Sequence, residues 1–202
     1  FPIKGNAESK IASTNSGEYQ KAEVYLYHYT KGCHLPKIVR EGVIKQSTSF
    51  LDKKEKPAVW LTTSPEWEVG CNAGLIKNPD FSKVPTGKYY YCGKLDFVTA
   101  PNEFMKRNIG MCRILVNKNI PTVTWRKFKW VSGISEIYYN SLDRIHKLEG
   151  SPVEKWRISF KEIPRKQWQG IEMYVQDQWV RWDEKVPIGE FVSLCLSCNQ
   201  KE

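Results

Sequence analysis

Histidine is the residue type here whose position most directly suggests chemistry, because imidazole titrates near neutral pH. The chain has three: His28, His34 and His146. His28 ends a predicted strand in Tyr25-Leu-Tyr-His-Tyr-Thr30, between two tyrosines. There a ring nitrogen can donate to a ligand hydroxyl or carboxamide, while the tyrosines offer faces for stacking. The alternative is a satisfied core histidine, the commoner case in an aromatic strand. His146, near the end of a predicted helix, is interpreted as structural, and His34 as a solvated or capping residue.

The elements that would position His28 are short. Apolar residues predict a strand that ends at Thr30, and helical spacing predicts a helix over 33–41 that stops at Gly42. A second buried strand is predicted over 58–62. The segment 64–68 has the order of Ser, Pro and Glu that is typical of a helix N-terminus.

The rest of the chain is predicted as short strands with few helices. The strongest helical spacing runs from Ile134 to Leu148. Strands are predicted at 89–92, 110–116, 156–160, 170–175 and 178–182, the last two as a hairpin, and 188–196 is either strand or helix. Because the strands do not alternate with helices, we expect an α+β fold with antiparallel pairing. No G-x-G-x-x-G or Walker A sequence supports a Rossmann or P-loop route to nucleotides.

Three ordered motifs resemble ADP-ribosyltransferases of the diphtheria-toxin-like and poly-ADP-ribosyl type. They are Tyr27-His-Tyr-Thr30, the Leu-x-x-Ile-x-x-x-Gly pattern over 35–42, and Trp60-Leu-Thr-Thr-Ser64. The resemblance covers residues 24–68 and thins out afterwards. It implies an ADP-ribosyltransferase-like fold of short antiparallel strands in two packed sheets with a few flanking helices. We therefore expect a flexible segment over 1–20 and one catalytic domain over 21–202.

The same resemblance implies NAD as a substrate and assigns site residues. His28 would contact the ribose hydroxyl and the carboxamide of the nicotinamide half, Thr30 would help to hold the dinucleotide, and Tyr27 or Tyr29 would pack against the nicotinamide. The pocket would be backed by Trp60 and the hydroxyls of Thr62 and Thr63.

A further cation is available on a later strand. Arg113 could reach the pyrophosphate with two hydrogen bonds, and a solvated strand arginine is an equal alternative.

The reaction needs a carboxylate. Cleavage between ribose and nicotinamide expels a neutral leaving group and leaves positive charge on the sugar, which a fixed carboxylate stabilises. The resemblance implies a glutamate on a late strand, where Glu172 follows Gly170, with Glu162 as the alternative. Gly170 also breaks the Q/E-x-E pattern of arginine-modifying members, which leaves the acceptor open.

The net charge of +9 favours polyanionic partners, although many proteins are this basic for solubility alone. The densest basic cluster, Trp125-Arg-Lys-Phe-Lys-Trp130, fits either base stacking with phosphate pairing or an edge strand, and we favour the strand.

We expect a mono-ADP-ribosyltransferase, a glycosyl-transferring enzyme that modifies nucleic acid in preference to protein. Such compact transferases resemble bacterial toxins or phage effectors, for which an antitoxin protein would be a partner. Two alternatives stay open: a non-catalytic nucleic-acid-binding module, and a cofactor-free RNase toxin that uses His28.

Cysteine usage and hydropathy bear on the compartment. The six cysteines are irregularly spaced, and we expect reduced thiols. A zinc site at Cys195-Leu-Ser-Cys198 would need two more ligands, for which Cys33-His34 is the only obvious pair, so we expect no metal. No apolar run could span a bilayer and no signal pattern is present, so we expect a cytoplasmic protein without membrane contact.

Overall fold

The computed structural model describes residues 25–47, 52, 54–76, 88–92, 95–148 and 153–200. The segment 1–20, expected to be flexible, lies outside them. The strands of the largest sheet are β1 (Leu26–Lys31), β3 (Val59–Thr62), β7 (Met111–Val116), β8 (Val123–Thr124), β9 (Trp156–Ser159), β11 (Trp168–Val175) and β12 (Gln178–Arg181). They form an antiparallel sheet in the order β12-β11-β7-β1-β3-β9-β8.

Two smaller sheets, five α-helices and several short 3₁₀ turns complete the described part. β4 (Ala73–Ile76), β6 (Leu95–Thr99) and β5 (Lys88–Cys92) form one sheet, and β2 (Val43–Ile44) pairs with β10 (Ile163–Pro164). The helices are α1 (Leu35–Glu41), α2 (Asn102–Phe104, continued as a π-helix over Met105–Ile109), α3 (Trp125–Val131), α4 (Glu136–Leu148) and α5 (Ile188–Asn199). The expected α+β class with antiparallel pairing is confirmed.

Strand alternation gives the large sheet two different faces. On one face Leu26, Ile114 and Ile171 form an apolar core with α1 and α5, whose residues Leu35 and Phe191 are buried against them.

The opposite face is aromatic. There α3 and α4 cover β3 and β9, and Trp60, Trp125, Phe128, Tyr139 and Trp156 pack together. This second layer buries the side chains that border the candidate site.

The junction between β1 and β3 is the weakest in the sheet. β1 is in register with β7 over its whole length, from Leu26 to Lys31. Opposite β3 only one pair is in register, Tyr27 with Thr62. Because the ladder is so short here, side chains rather than backbone groups bridge part of the junction.

Several predicted elements are confirmed. The helix before Gly42 ends as expected, with Gly42 in the left-handed conformation at φ +65°. The hairpin between β11 and β12 turns at Gln176 and Asp177, both at positive φ. The open case at 188–196 is resolved as helix α5.

Two predictions are wrong. Residues 125–130 form helix α3 and not an edge strand, because Thr124 caps the first turn by accepting a hydrogen bond from the Lys127 amide. Trp125 and Phe128, three residues apart, are then both buried. The segment 64–68 is irregular and not a helix start, since it crosses the aromatic face and leads only into a 3₁₀ turn over Val69–Asn72.

Candidate functional site

A cavity of about 250 Å³ opens on the aromatic face beside the weak β1–β3 junction. Its walls come from four parts of the chain: residues 27–29 of β1, residues 60–62 of β3, the segment 68–71, and α4 with Trp156 of β9. An apolar cavity of about 150 Å³ is large enough for benzene. This one therefore suits a single substituted ring and is too small to enclose a dinucleotide.

His28 bridges the junction through its side chain. Its Nδ1 lies 2.9 Å from the Trp60 carbonyl oxygen. A carbonyl only accepts, so Nδ1 carries the proton. Burial lowers the pKa of His28, and the ring is neutral at pH 7 with Nε2 as an acceptor. The sequence analysis expects His28 to donate a hydrogen bond to a ligand. In this tautomer its Nε2 can only accept one, from a ligand hydroxyl or amide.

Glu68 is the carboxylate that lines this cavity. It is 7% exposed, and its Oε2 accepts a hydrogen bond of 2.6 Å from the Trp156 indole nitrogen. Its Oε1 is buried without a hydrogen-bond partner among the described residues. Burial raises the pKa of Glu68, and hydrogen bonds from Thr62 and Trp156 act in the opposite direction. Buried carboxylate oxygens are normally paired, so Oε1 marks a place for a ligand donor or a water molecule.

His146 lies in the same cavity wall. Its ring meets Trp156 edge-on, with the ring centroids 3.9 Å apart. Burial lowers its pKa to about 4, and Nδ1 has no hydrogen-bond partner in the part of the chain that the structure describes. Gly70 makes this placement feasible, because a Cβ there would lie 2.7 Å from the imidazole Cε1.

Arg113 and Glu172 form an ion pair on the same face of the sheet as Tyr27. The guanidinium Nη2 and Nε lie 2.6 and 2.7 Å from Glu172 Oε2. Nη1 donates to the Pro65 carbonyl, and the guanidinium packs 4.0 Å from the ring centroid of Trp179 and 4.9 Å from that of Tyr27. Arg113 is thus engaged on all sides and is not positioned as a free pyrophosphate ligand.

The two predicted catalytic residues do not meet in one cavity. Glu172 and His28 fall on opposite faces by register, since Glu172 pairs with Arg113 and His28 with Ile114 on the same strand β7. Glu172 does not line the cavity, although its charge is close enough to raise the pKa of Tyr27. Glu162, the alternative, is exposed in the turn before β10 and does not line the cavity.

The irregular segment 64–68 is held to β1 and β3 by hydrogen bonds at Ser64. The Tyr29 hydroxyl donates to the Ser64 carbonyl at 2.9 Å, and burial raises the pKa of Tyr29. The Thr62 hydroxyl accepts from the Ser64 amide at 3.0 Å and lines the cavity. Thr63 instead donates to the Lys155 carbonyl and does not line it.

A second cavity, of about 300 Å³, lies beside α1. It shares His28 and Trp60 with the first and contains Thr30, Lys37, Lys45 and Glu41. Lys45 Nζ lies 3.1 Å from Glu41 Oε2 in an ion pair, which leaves a net positive charge in this wall. The predicted site residues are therefore divided between an aromatic cavity with a carboxylate and a basic cavity, with His28 in the wall of both.

Sequence reasoning missed Glu68 and the importance of His146. Glu68 was assigned to a helix start, although it stands between Trp67 and Val69, and an acid in an apolar setting is a signal of burial. The sequence analysis interprets His146 as a structural residue near the end of a helix, where it can interact with the helix dipole. Their common cavity depends on Trp156, which is distant from Glu68 in the sequence.

Other predicted features have simple environments. Cys112 and Cys195 are buried, Cys71 and Cys198 half-buried and Cys33 exposed, all as free thiols. Burial raises the pKa of Cys195 to about 12. No cluster of His, Cys, Asp or Glu suited to a metal ion occurs within the described ranges. Among the helices that the structure describes, none is long and apolar enough to cross a membrane.

The described residues form an α+β fold with a ring-sized cavity that opens on one face of an antiparallel sheet. Comparison with protein-family models, curated proteins and solved structures finds no match for this chain.

Proposed function

We propose that this protein is a mono-ADP-ribosyltransferase that cleaves NAD and transfers ADP-ribose to a macromolecule. The observation that carries the proposal is the pair of cavities that share His28. One is ring-sized and aromatic with a carboxylate, as a nicotinamide ring requires, and the other contains Lys37 and Lys45, as phosphates require.

The residues take the following roles in the proposal. Nicotinamide lies in the aromatic cavity against Tyr27 and Tyr29. The neutral His28, in the wall shared with the basic cavity, accepts a hydrogen bond from the dinucleotide at its Nε2. Thr30 faces the phosphates from the basic cavity. Glu172, whose carboxylate is held by Arg113 near Tyr27, supplies the negative charge that acts on the sugar.

The reaction breaks the bond between C1′ of the ribose and the ring nitrogen. The electron pair leaves with neutral nicotinamide, and the positive charge that develops on the sugar is stabilised by Glu172. A nucleophile of the acceptor then bonds to C1′ and loses its proton. The net positive charge of the chain favours nucleic acid as this acceptor.

The test is nicotinamide release from NAD by the purified protein, alone and with RNA, DNA or cell lysate. Loss of one transition-state contact lowers rates by about 100- to 1,000-fold, which we expect for Glu172→Gln. Glu162→Gln is the matched control, because Glu162 is exposed and outside the cavity. Absence of release under every condition, together with no thermal shift on addition of NAD, would refute the proposal. Release that Glu172→Gln leaves unchanged would refute the role of Glu172 only.

A second candidate function rests on one face of α3. Trp130 is 80% exposed, and Arg126 and Lys127 are exposed on the same side of the helix. An exposed indole beside two cations suits a stacked base and its phosphates in a single strand. This face supports a nucleic-acid-binding module, either as the acceptor site of the transferase or without catalysis.

Binding of a fluorescent single-stranded oligonucleotide tests this candidate. Trp130→Ala should weaken binding by about 1–3 kcal/mol, as expected for one stacked base. Ile137→Ala is the control, because Ile137 is also exposed, at 77%, but lies on α4. Equal affinity of both variants and the unmodified protein would exclude this face as the binding surface.

The RNase alternative would use the basic cavity, where His28 shares the wall with His34, Lys37 and Lys45. RNA cleavage by the purified protein without NAD would favour it over the transferase.

A further inference from the structure

Two buried polar atoms that lack hydrogen-bond partners in the described part of the chain belong to residues that border one cavity. They are Oε1 of Glu68 and Nδ1 of His146, both on residues more than nine-tenths buried. Neither atom finds a hydrogen-bond partner among the described residues, and both residues border the ring-sized space. Leaving two such groups unpaired costs folding free energy, which a ligand with matching groups would recover.

We infer that Glu68 and His146 form a recognition pair for a primary carboxamide carried on a flat aromatic ring. A carboxylate oxygen only accepts, so Glu68 Oε1 takes an amide N–H. The neutral imidazole, in the tautomer with the proton on Nδ1, donates to the amide carbonyl. A primary carboxamide is a compact group that offers both an N–H and a C=O.

The walls of the cavity select the rest of the ligand. Trp60 and Trp156 meet edge-to-face with ring centroids 5.6 Å apart, and the rings of Tyr27 and Tyr29 lie nearly parallel in the cavity wall. These rings accept a flat aromatic molecule and exclude a bulky one. Under the proposed function, on which this identification of the ligand rests, the ring is the nicotinamide of NAD.

The pair should discriminate between close analogues. Nicotinic acid replaces the amide with a carboxylate, which would face Glu68 as a like charge and offer it no donor. The ketone 3-acetylpyridine keeps the carbonyl but has no N–H for Oε1. A site that is built to hydrogen-bond a polar group rejects analogues that lack it, because its own buried groups then stay unpaired.

Glu68→Gln tests the inference because it replaces a hydrogen-bond acceptor by a donor and keeps the shape of the side chain. The substituted amide side chain would keep the bond from the Trp156 indole through its carbonyl oxygen and would present its NH₂ group to the cavity in place of Oε1. That NH₂ donates to a carboxylate and no longer accepts from an amide. We therefore expect Glu68→Gln to bind nicotinic acid at least as well as nicotinamide.

The experiment measures binding of nicotinamide, nicotinic acid and 3-acetylpyridine by tryptophan fluorescence and ligand-observed NMR. We expect the unmodified protein to bind nicotinamide about tenfold more tightly than either analogue, equivalent to one hydrogen bond. Glu66→Gln, at an exposed position two residues earlier, should keep that preference. A reversed preference in Glu68→Gln supports the inference, since a loss of stability weakens all ligands together.

Two outcomes would overturn the inference. One is equal binding, or no binding, of the three compounds by the unmodified protein, a result that needs no variant to fold. The other is a preference for nicotinamide that persists in Glu68→Gln. Nicotinamide binding without NAD cleavage would refute the proposed function alone, and cleavage without discrimination among the rings would refute this inference alone.

Discussion

The buried imidazole of His146 should make this protein less stable at acidic pH, and substitution of His146 should remove that part of the pH dependence. Its pKa is about 4 in the folded protein and 6.5 for an ordinary histidine. Between these values the unfolded chain binds more protons than the folded one, so stability is complete above pH 6.5 and falls on acidification towards pH 4. One pKa unit corresponds to about 1.4 kcal/mol, so the loss is about 3 kcal/mol.

The assay is urea unfolding at pH 7.5 and pH 4 for the unmodified protein and for His146→Gln, which has no titrating ring. The variant should lose about 3 kcal/mol less on acidification than the unmodified protein. The burial-lowered pKa of His28 and the burial-raised pKa of Glu68 affect both proteins and cancel in the comparison. The charge of Asp143 raises the pKa of His146 and so opposes the effect of burial. Parallel losses in the two proteins would refute the burial of this ring.

Three further substitutions test separate parts of the structure, each by urea unfolding. Arg113→Met should lower the free energy of unfolding by about 3–5 kcal/mol, because it leaves the Glu172 carboxylate largely buried and unpaired. An additional Glu172→Met substitution should restore part of this loss. If it restores none, the ion pair does not contribute as described. Gly42→Ala should cost about 1–2 kcal/mol from the backbone alone, since φ is +65° and nothing lies within 4 Å of the new Cβ. Thr124→Ala should cost about 1 kcal/mol through the lost cap of α3, whereas Thr124→Ser should keep most of it.

Local sequence signals predict the elements of the fold where one physical cause dominates. The helix before Gly42 follows from apolar spacing and from the glycine that tolerates a left-handed residue. The hairpin of β11 and β12 follows from alternation around a polar turn. The segment 125–130 misleads because it reads equally as an alternating strand or a short helix. The Thr124 cap and the shared burial of Trp125 and Phe128 decide in favour of the helix.

The candidate site is less predictable, because its geometry comes from distant parts of the chain. His28 could be selected from its aromatic neighbours, but its tautomer depends on the carbonyl of Trp60 across a short strand ladder. The cavity also needs Trp156, whose indole anchors Glu68 from 88 residues away. No local pattern encodes that contact, so the sequence analysis selected a late-strand acid and overlooked an earlier one.

The two glutamates differ through their surroundings, although they are the same chemical group. Glu172 has one oxygen held by an arginine beside Tyr27, outside the ring-sized cavity. Glu68 has one oxygen held by an indole and the other buried and unpaired in the cavity wall. An acid outside the cavity can act on a sugar that remains outside, while an acid inside can contact only the ring. Substitution by glutamine should therefore separate the two tasks: Glu172→Gln lowers the rate of NAD cleavage, and Glu68→Gln changes which ring is bound.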